Sequence, residues 1–384
     1  MQLLLPNEVI SCLKSLKNAG FEAWCVGGAV RDIIMSRTPG DFDVTTSARP
    51  ENVTEIFNHT VPTGIKHGTV TVIINKMPIE VTTYRSDGKY SDHRAPDSVR
   101  YVSSVDDDLR RRDFTVNAVC CSEEGKIYDP LNGVADICSK KLRTVGEPEK
   151  RFSEDALRIM RLFRFSSQLC FEIEEKSYEA AIKLSYLLKE ISAERILSEL
   201  KKTFCGGRPT SLDPLLLCGA LEFTGLPSCP VGSSIPDACP AEFALRFAFY
   251  CKQSRTDAKA VLKNLKSDNK TAEKADIYLE MLSMPHVTRC DIKRLLKTGG
   301  AEMTENLLRA YGKPCDIIDS IIQSGEPYNK SMLKIDGSDI ALLGIKGPMI
   351  GAVIDDITDA VIDDFRKNYR DELIKMIKTK YLNR

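Results

Sequence analysis

The run C-V-G-G-A-V-R-D at residues 25–32, followed by P-G-D-F-D-V at residues 39–44, decides the fold. It reads as a strand, a di-glycine turn, a helix start and a second strand opening on two carboxylates. E-A-W-C-V (22–26) is the first strand, A-V-R-D-I-I-M-S-R (29–37) has helical period, Thr38-Pro39-Gly40 turns the chain, and D-F-D-V-T-T (41–46) is the second strand. Without a Cβ, Gly27 and Gly28 let the backbone approach a phosphate, and the next helix start supplies free N–H groups and a favourable dipole. Arg31, one turn in, is placed to add a charge-assisted hydrogen bond to the same anion. Strand side chains alternate, so Asp41 and Asp43 share a face while Phe42 and Val44 turn to the core. Two carboxylates on one face make a platform for magnesium, and beside an anion cradle they point to two-metal phosphoryl or nucleotidyl transfer. A di-glycine alone is equally a plain turn, and an Asp pair alone a solvated face; their combination carries the reading.

Outward from this run, residues up to about 146 alternate short β-branched stretches with turns, an α+β pattern. G-T-V-T-V-I-I (68–74) and P-I-E-V-T-T-Y (78–84) flank Asn75-Lys76-Met77 as a hairpin. Within it Glu80 interrupts the apolar alternation, either as a third carboxylate beside the two aspartates or as a plain exposed position. Residues 85–108 are polar and read as a long loop. After Gly146 nearly every segment has period 3.6, so the remainder is expected to be all-helical, with residues 227–240 as its main linker and Gly299-Gly300 and Ser324-Gly325 as lesser breaks.

The 384 residues suggest two or three domains at ~150 residues each. With 42% hydrophobic and 28% charged residues the composition is that of a globular protein, which excludes collagen-like and disordered classes. Lys+Arg and Asp+Glu are both 54, so no global positive field recruits nucleic acid and any such surface is a local patch. Thirteen cysteines, an odd number with no C-x-x-C, read as free thiols of a reducing, cytoplasmic setting. His59, His67, His93 and His286 are too dispersed for a zinc site, so metal chemistry falls to carboxylates. The start, M-Q-L-L-L-P-N-E-V-I, has no basic region before its leucines and is not expected to be a signal peptide. No apolar run approaches the ~18 residues of a membrane span.

Two further clusters carry charge. R-R-R-D-F-T-V-N-A (110–118) sets three cations, an acid and an amide around two apolar residues. Three adjacent arginines are ordinarily a solvated face; here Asp113 can cap the following turn and hold an arginine, leaving Arg111 or Arg112 for phosphate or ribose and Asn117 near sugar hydroxyls. In S-E-D-A-L-R-I-M-R-L-F-R-F (153–165), Ser153 is the expected N-cap, and Asp155, Arg158, Arg161 and Arg164 recur every three residues beside an apolar stripe of Leu157, Met160 and Phe163. The alternative is an i,i+3 salt-bridge ladder on an exposed helix.

In order, G-G-A-V-R-D, D-F-D, R-R-D-F-T-x-N-A, Y-D-P-L-x-G, E-D-A-L-R-x-x-R-x-x-R-F and E-R-I-x-x-E-L resemble the bacterial-type (class II) tRNA nucleotidyltransferase and poly(A) polymerase family. The match is dense from about residue 20 to 205, and D-G-S-D-I-A-L-L-G-I-K-G-P-M-I-G near the end is similar to that family's tail. The resemblance implies a polymerase-β-like head with a small mixed sheet (1–146), a base-reading helical neck (147–205), a helical body (206–320) and a tRNA-binding tail (321–384). It implies that Asp41 and Asp43 bind two magnesium ions, that Gly28 and Arg31 meet the triphosphate, and that Arg112 contacts phosphate or sugar. Asp155 and Arg158 would read the incoming base, with Arg161 and Arg164 supporting the nucleotide. Cytosine and adenine each present an exocyclic amine beside a ring-nitrogen acceptor, whereas uracil and guanine present the reverse order; an acceptor (Asp155) beside a donor (Arg158) therefore selects C and A.

The function so implied is untemplated addition of C, C and A from CTP and ATP to the tRNA 3′ end, releasing pyrophosphate, with contacts to the acceptor stem and elbow. Lys201, Lys202, Arg208, Lys263 and Lys266 are candidate RNA contacts, each also readable as a solvated helix face. Residues 86–105 are similar to the family's flexible loop, which is associated with adding the final A. The rivals are a poly(A) polymerase, an A-adding specialist, a small-molecule nucleotidyltransferase and a non-catalytic RNA-binding module. Neutral charge favours tRNA over poly(A), the helical half disfavours a small-molecule enzyme, and paired carboxylates disfavour a pure binder.

Overall fold

The computed structural model describes residues 2–64, 68–87, 99–232 and 234–382. The chain forms two compact units, Met1–Thr224 and Gly225–Arg384. The first opens with α1 (Asn7–Asn18), β1 (Ala23–Val26), α2 (Gly28–Ile34), β2 (Asp43–Thr46), α3 (Pro50–Ile56), β3 (Thr60–Gly64), β4 (Thr69–Ile74) and β5 (Met77–Thr83). Then come β6 (Arg85–Asp87), β7 (Val99–Tyr101), α4 (Val105–Arg110), β8 (Cys120–Cys121), β9 (Ile127–Tyr128), α5 (Gly133–Cys138) and β10 (Lys141–Leu142). Seven strands make one sheet in the order β3-β4-β5-β2-β1-β8-β9. It is mixed: β2 and β5 pair in parallel, while β1 runs antiparallel to both β2 and β8.

The β4–β5 hairpin turns tightly, with Ile74 opposite Met77 and both Asn75 (φ 47°) and Lys76 (φ 70°) left-handed, the two-residue turn whose twist suits the strands. Valines at 70, 72 and 81 and Ile79 are buried in this hairpin. Val26, Tyr84, Leu109, Ala118, Cys120 and Val145 form one buried cluster that joins β1 and β8 to α4.

The expectation of a loop over residues 85–108 is corrected. Arg85 to Asp87 pair antiparallel with Val99 to Tyr101, and α4 begins at Val105. Ser104 caps that helix through its hydroxyl, which accepts the Asp106 N–H at 3.2 Å, and three aspartates favour the positive end of its dipole. Composition marked the stretch as polar, but here polarity is helix-cap chemistry. Residues 88–98 of the loop likened to the family's flexible loop lie outside the described residues, as do His67 and His93.

The helices that follow are α6 (Pro148–Glu154), α7 (Leu157–Leu169), α8 (Glu175–Lys183), α9 (Ala193–Phe204) and α10 (Asp213–Leu217), with β11 (Glu172–Ile173) pairing in parallel with β10. Ser153 is not an N-cap. Pro148, pre-set for a first turn, starts α6 upstream, and the Ser153 hydroxyl bonds back to the Glu149 carbonyl at 2.8 Å inside that helix. The break falls at Asp155 (φ −137°, ψ 104°), whose carboxylate accepts the Leu157 N–H at 3.1 Å.

The second unit is helical: α11 (Phe243–Ser254), α12 (Ala258–Asn264), α13 (Asn269–Met281), α14 (Arg289–Ala310), α15 (Asp316–Ser324), α16 (Gly337–Leu342), α17 (Pro348–Asp363) and α18 (Arg370–Ile377). Gly299-Gly300 is a break, as expected: Gly300 (φ 73°, ψ −176°) is non-helical and divides α14 into two helical stretches across a kink, and Gly325 terminates α15 in the left-handed region. Ile340, Val353, Ile357, Val361, Leu373 and Ile377 form the core of its last three helices. Among the described residues no helix is long and apolar enough to cross a membrane.

Candidate active site

A cleft of ≈ 470 Å³ opens in the first unit between the sheet and the α6–α7 break. Its sheet wall carries Asp43 and Glu80, and its opposite wall Asp155, Arg158, Arg161 and Arg195, with Arg111, Arg112 and Asp113 between them. The sheet wall follows from pairing. Asp43, the first residue of β2, stands opposite Val26 on β1 and in register with Glu80 on β5. The parallel β2–β5 pair is therefore what brings Glu80 beside Asp43, so the third-carboxylate alternative has geometric support. Asp41 is exposed just before β2 and does not line the cleft.

Burial pushes the Asp43 carboxyl up to about 6, against the pull of Arg112 and with further upward push from Asp41 and Glu80. Two neighbouring carboxylates thus add to the cost of the Asp43 charge, which a hard cation would relieve. Among the described residues no three ligating side chains close into a ready-made metal cage. An open platform of one or two carboxylates that leaves positions for substrate oxygens is the arrangement magnesium takes, so the donor set fits it.

Gly27 shapes the turn above this platform. Its φ of 81° and ψ of −138° suit glycine alone, and a Cβ there would sit 3.3 Å from Arg112 Nη1 and 3.5 Å from Asp43 Oδ2. Gly28 begins α2, with the Arg31 guanidinium 3.6 Å from where its Cβ would be. Arg31 is buried and lies outside the cleft lining. It donates to Asn117 Oδ1 at 2.6 Å and to Asp32 Oδ1 at 2.9 and 2.8 Å.

Asn117 in turn donates to Asp113 Oδ1 at 3.1 Å, and Asp113 Oδ2 accepts from Arg161 at 2.8 and 2.6 Å. One chain of hydrogen bonds thus runs from Arg31 to Arg161, with the Asp113–Asn117 turn as its middle. Burial would raise the Asp113 carboxyl, but Arg161 and the Asn117 amide outweigh it and hold it at about 2. Asp113 does hold an arginine, as expected, but one from α7 rather than a neighbour in the run.

The helix wall is no i,i+3 ladder. Asp155 takes Arg195 Nη2 at 3.2 Å; Arg158, buried, pairs with Glu154 at 2.8 Å and donates to the Arg111 carbonyl at 3.2 Å. Arg164 reaches Glu199 on α9 at 2.5 Å, and burial together with Arg161 lowers it to about 10. Phe165 is the shared platform: Arg164 lies 3.8 Å from its ring centre, Arg161 5.3 Å and Arg31 5.4 Å.

Of the residues expected from sequence, the cleft gathers Asp43, Arg112, Asp155, Arg158 and Arg161; Asp41, Gly28, Arg31 and Arg164 stand behind or beside it. Asp108, Arg195, Glu199 and Phe165 went unassigned. Arg195 and Glu199 belong to E-R-I-x-x-E-L, whose charges flanking the apolar Ile196, Leu197 and Leu200 were the available signal, and Asp108 precedes Arg111 and Arg112 at helical spacing. Arg208 is spent inside this unit, on Glu172, Ser166, Ser211 and the Phe171 carbonyl.

Residues 23–143 match the family described as "Poly A polymerase head domain", and residues 170–224 match "Probable RNA and SrmB- binding site of polymerase A". The CCA-adding enzyme of Anoxybacillus flavithermus is 36% identical over 385 residues, covering 96% of this chain and 95% of its own. That of Streptococcus uberis is 35% identical over 379 residues, 94% of each chain. Among solved structures, the Bacillus stearothermophilus CCA-adding enzyme in complex with CTP superposes with a TM-score of 0.84 at 31% identity, covering 99% of this chain and 100% of that one. Full-length similarity of this degree, on a head that sets Asp43 beneath a glycine turn and faces it with an arginine-lined helix, shows that the chain belongs to the family of CCA-adding enzymes.

Proposed function

We propose that this chain adds C, C and A, from CTP and ATP, to the 3′ end of tRNA without a nucleic-acid template. In each step the tRNA 3′ oxygen bonds to the α-phosphorus, the α–β phosphoanhydride bond breaks, pyrophosphate leaves and the hydroxyl proton is lost. The observation that carries this is the cleft itself: carboxylates on one wall face an acceptor–donor pair on the other, with arginines between.

Magnesium would be held by Asp41 and Asp43 with Glu80 alongside, as two ions in the resemblance, and supplies charge stabilisation at the phosphates and a more acidic 3′ hydroxyl. The protein's own groups do the rest. Arg112 meets phosphate or ribose from between the walls, and Asp113 and Asn117 keep the turn beneath it rigid. Arg31 with the Gly28 helix start, and Arg161 with Arg164 on Phe165, form the positive surround of the triphosphate. Asp155 and Arg158 offer the base an acceptor and a donor. Arg195 fixes the first and Glu154 the second, which leaves the base little freedom of pairing. We assign 1–146 as head, 147–205 as neck, 206–320 as body and 321–384 as tail, the last two holding the acceptor stem and elbow of tRNA. Lys201, Lys202, Lys263 and Lys266 are the proposed backbone contacts. With its thirteen free thiols, the protein is assigned to the cytoplasm.

The test is incubation with a tRNA transcript lacking its last three nucleotides, magnesium, and CTP and ATP singly or together, read on a single-nucleotide gel. A three-nucleotide extension that needs both nucleotides, and that Asp41→Ala and Asp43→Ala each abolish, is expected. Long A tails, a single A added only after CC, or no extension would overturn the proposal.

A further inference from the structure

Asp108 is a fully buried carboxylate that the reaction as derived leaves without a role. It lies on α4 and gathers three chain segments. Its Oδ2 accepts the Thr45 hydroxyl at 3.1 Å and Arg112 Nη2 at 3.3 Å. Its Oδ1 accepts Arg111 Nε at 2.9 Å and Nη2 at 2.8 Å, and the Arg85 main-chain N–H at 3.4 Å. Thr45 is two residues past Asp43 on β2, so the same strand carries the platform and this anchor. Arg85 begins β6, where the chain leaves the main sheet.

A charge taken fully out of water persists only where partners compensate it. Burial would raise the Asp108 carboxyl, but Arg112, Arg111 and the hydroxyl of Thr45 outweigh it and hold it below the ordinary carboxylate range. The arginines need it equally. They are adjacent like charges on long stems, both line the cleft, and Arg112 has little else to fix it: its Nε is buried with no hydrogen-bond partner, and its Nη1 reaches the Asn117 carbonyl only at 3.4 Å.

We infer that Asp108 is a positioning residue for nucleotide addition, a buried anchor tying the Arg111–Arg112 pair to the strand of Asp43 and so fixing where the incoming nucleotide's phosphate and sugar are met. This rests on the function proposed above and extends it to a residue that touches no substrate. Asp108→Asn keeps the volume and one acceptor but gives up the charge and the bidentate grip. Thr45→Val cuts the tie to β2 while leaving both arginines paired.

The experiment measures steady-state addition of C to a tRNA lacking its last three nucleotides, and of A to one ending in CC. For Asp108→Asn the KM of each nucleotide should rise about 10-fold with kcat within about 3-fold of the parent and KM for tRNA unchanged, the signature of lost binding geometry rather than lost fold. Thr45→Val should move the same KM by about 3-fold in the same direction. If Asp108 acts through the arginines, Asp108→Asn adds nothing further in a background carrying both Arg111→Ala and Arg112→Ala. Unchanged nucleotide KM, equal losses in kcat and in both substrates' KM, or full additivity with that double variant would overturn the assignment. Should Asp108→Asn fail to fold, Thr45→Val decides alone, an unchanged KM being the contrary result. A parent protein that adds no nucleotide refutes the proposed function; an active parent with a neutral Asp108→Asn refutes only the anchor.

Discussion

Replacing Asp43 with asparagine should remove the reaction and stabilise the head. The carboxyl of Asp43 sits at about 6 in the folded protein against an ordinary 3.8, a difference of about two units. At ~1.4 kcal/mol per unit this is about 3 kcal/mol of folding free energy lost chiefly to burying the charge, with Asp41 and Glu80 adding to the cost. The sign fixes the pH window. Below pH 4 the group is protonated in both states and costs nothing. Between 4 and 6 the unfolded chain ionises first, so stability falls as pH rises, and above 6 the whole cost is present. Asp43→Asn never carries the charge, so it should exceed the parent by up to about 3 kcal/mol at pH 8, by about half that at pH 5, and converge with it near pH 4. The chain's one tryptophan, Trp24, is on β1, next to β2, so urea unfolding followed by its fluorescence in EDTA reports this unit separately. Magnesium should then raise the midpoint of the parent and leave that of Asp43→Asn in place. A variant no more stable than the parent at pH 8, or equally favoured at pH 8 and pH 4, would refute the reasoning that these carboxylates are held together for a cation.

Other substitutions separate parts of the site. Gly27→Ala puts a side chain into left-handed backbone and against both Arg112 and Asp43, so it should cost about 1–3 kcal/mol in the same unfolding assay and lower addition of C at least 10-fold. Glu199→Gln leaves Arg164 buried without its counter-charge, and the unfolding free energy should fall by about 3–5 kcal/mol; a loss under 1 kcal/mol would show the pair to be solvent-screened. Glu80→Gln removes one of the charges pushing Asp43 up, so the pH dependence of stability between 4 and 6 should flatten.

Local signals carried the sequence reading furthest. The strand, di-glycine turn, helix and second strand of residues 22–46 form in the predicted order, and so does the β4–β5 hairpin, because each is decided within a few residues; the second strand, however, begins at Asp43 and leaves Asp41 just before it rather than on a shared strand face. The helices after Gly146 were legible from period, and the glycines marked the break at Gly300 and the stop at Gly325, but the half is not all-helical: the two-residue β11, too short to show a period, pairs with β10. Pairing partners were not. Glu80 joins Asp43 only because β2 and β5 run parallel, a register set by the whole sheet. Asp113 had three arginines immediately before it and takes Arg161, 48 residues away, because α7 packs over the turn. Ser153 had the chemistry of a cap and lost the position to a proline five residues upstream, and the acidic run before Arg110 looked like a loop until its helix was formed. Glu199 takes Arg164 from another helix and Phe165 takes Arg31 from α2, pairings that no spacing within one helix reveals, whereas Arg161 and Arg164 reach Phe165 along its own helix.

The central claim is that protein side chains, not a nucleic acid, choose C and A. Its most direct test is the kcat/KM for each of the four nucleotides, with tRNA lacking its last three nucleotides and with tRNA ending in CC, for the parent and for Asp155→Ala and Arg158→Ala. The parent should prefer CTP on the first and ATP on the second over UTP and GTP by about 100-fold or more, and each variant should give up about 10-fold or more of that preference, as loss of one hydrogen-bonding partner at 1–3 kcal/mol requires. A preference for C and A that survives unchanged in both variants would contradict it.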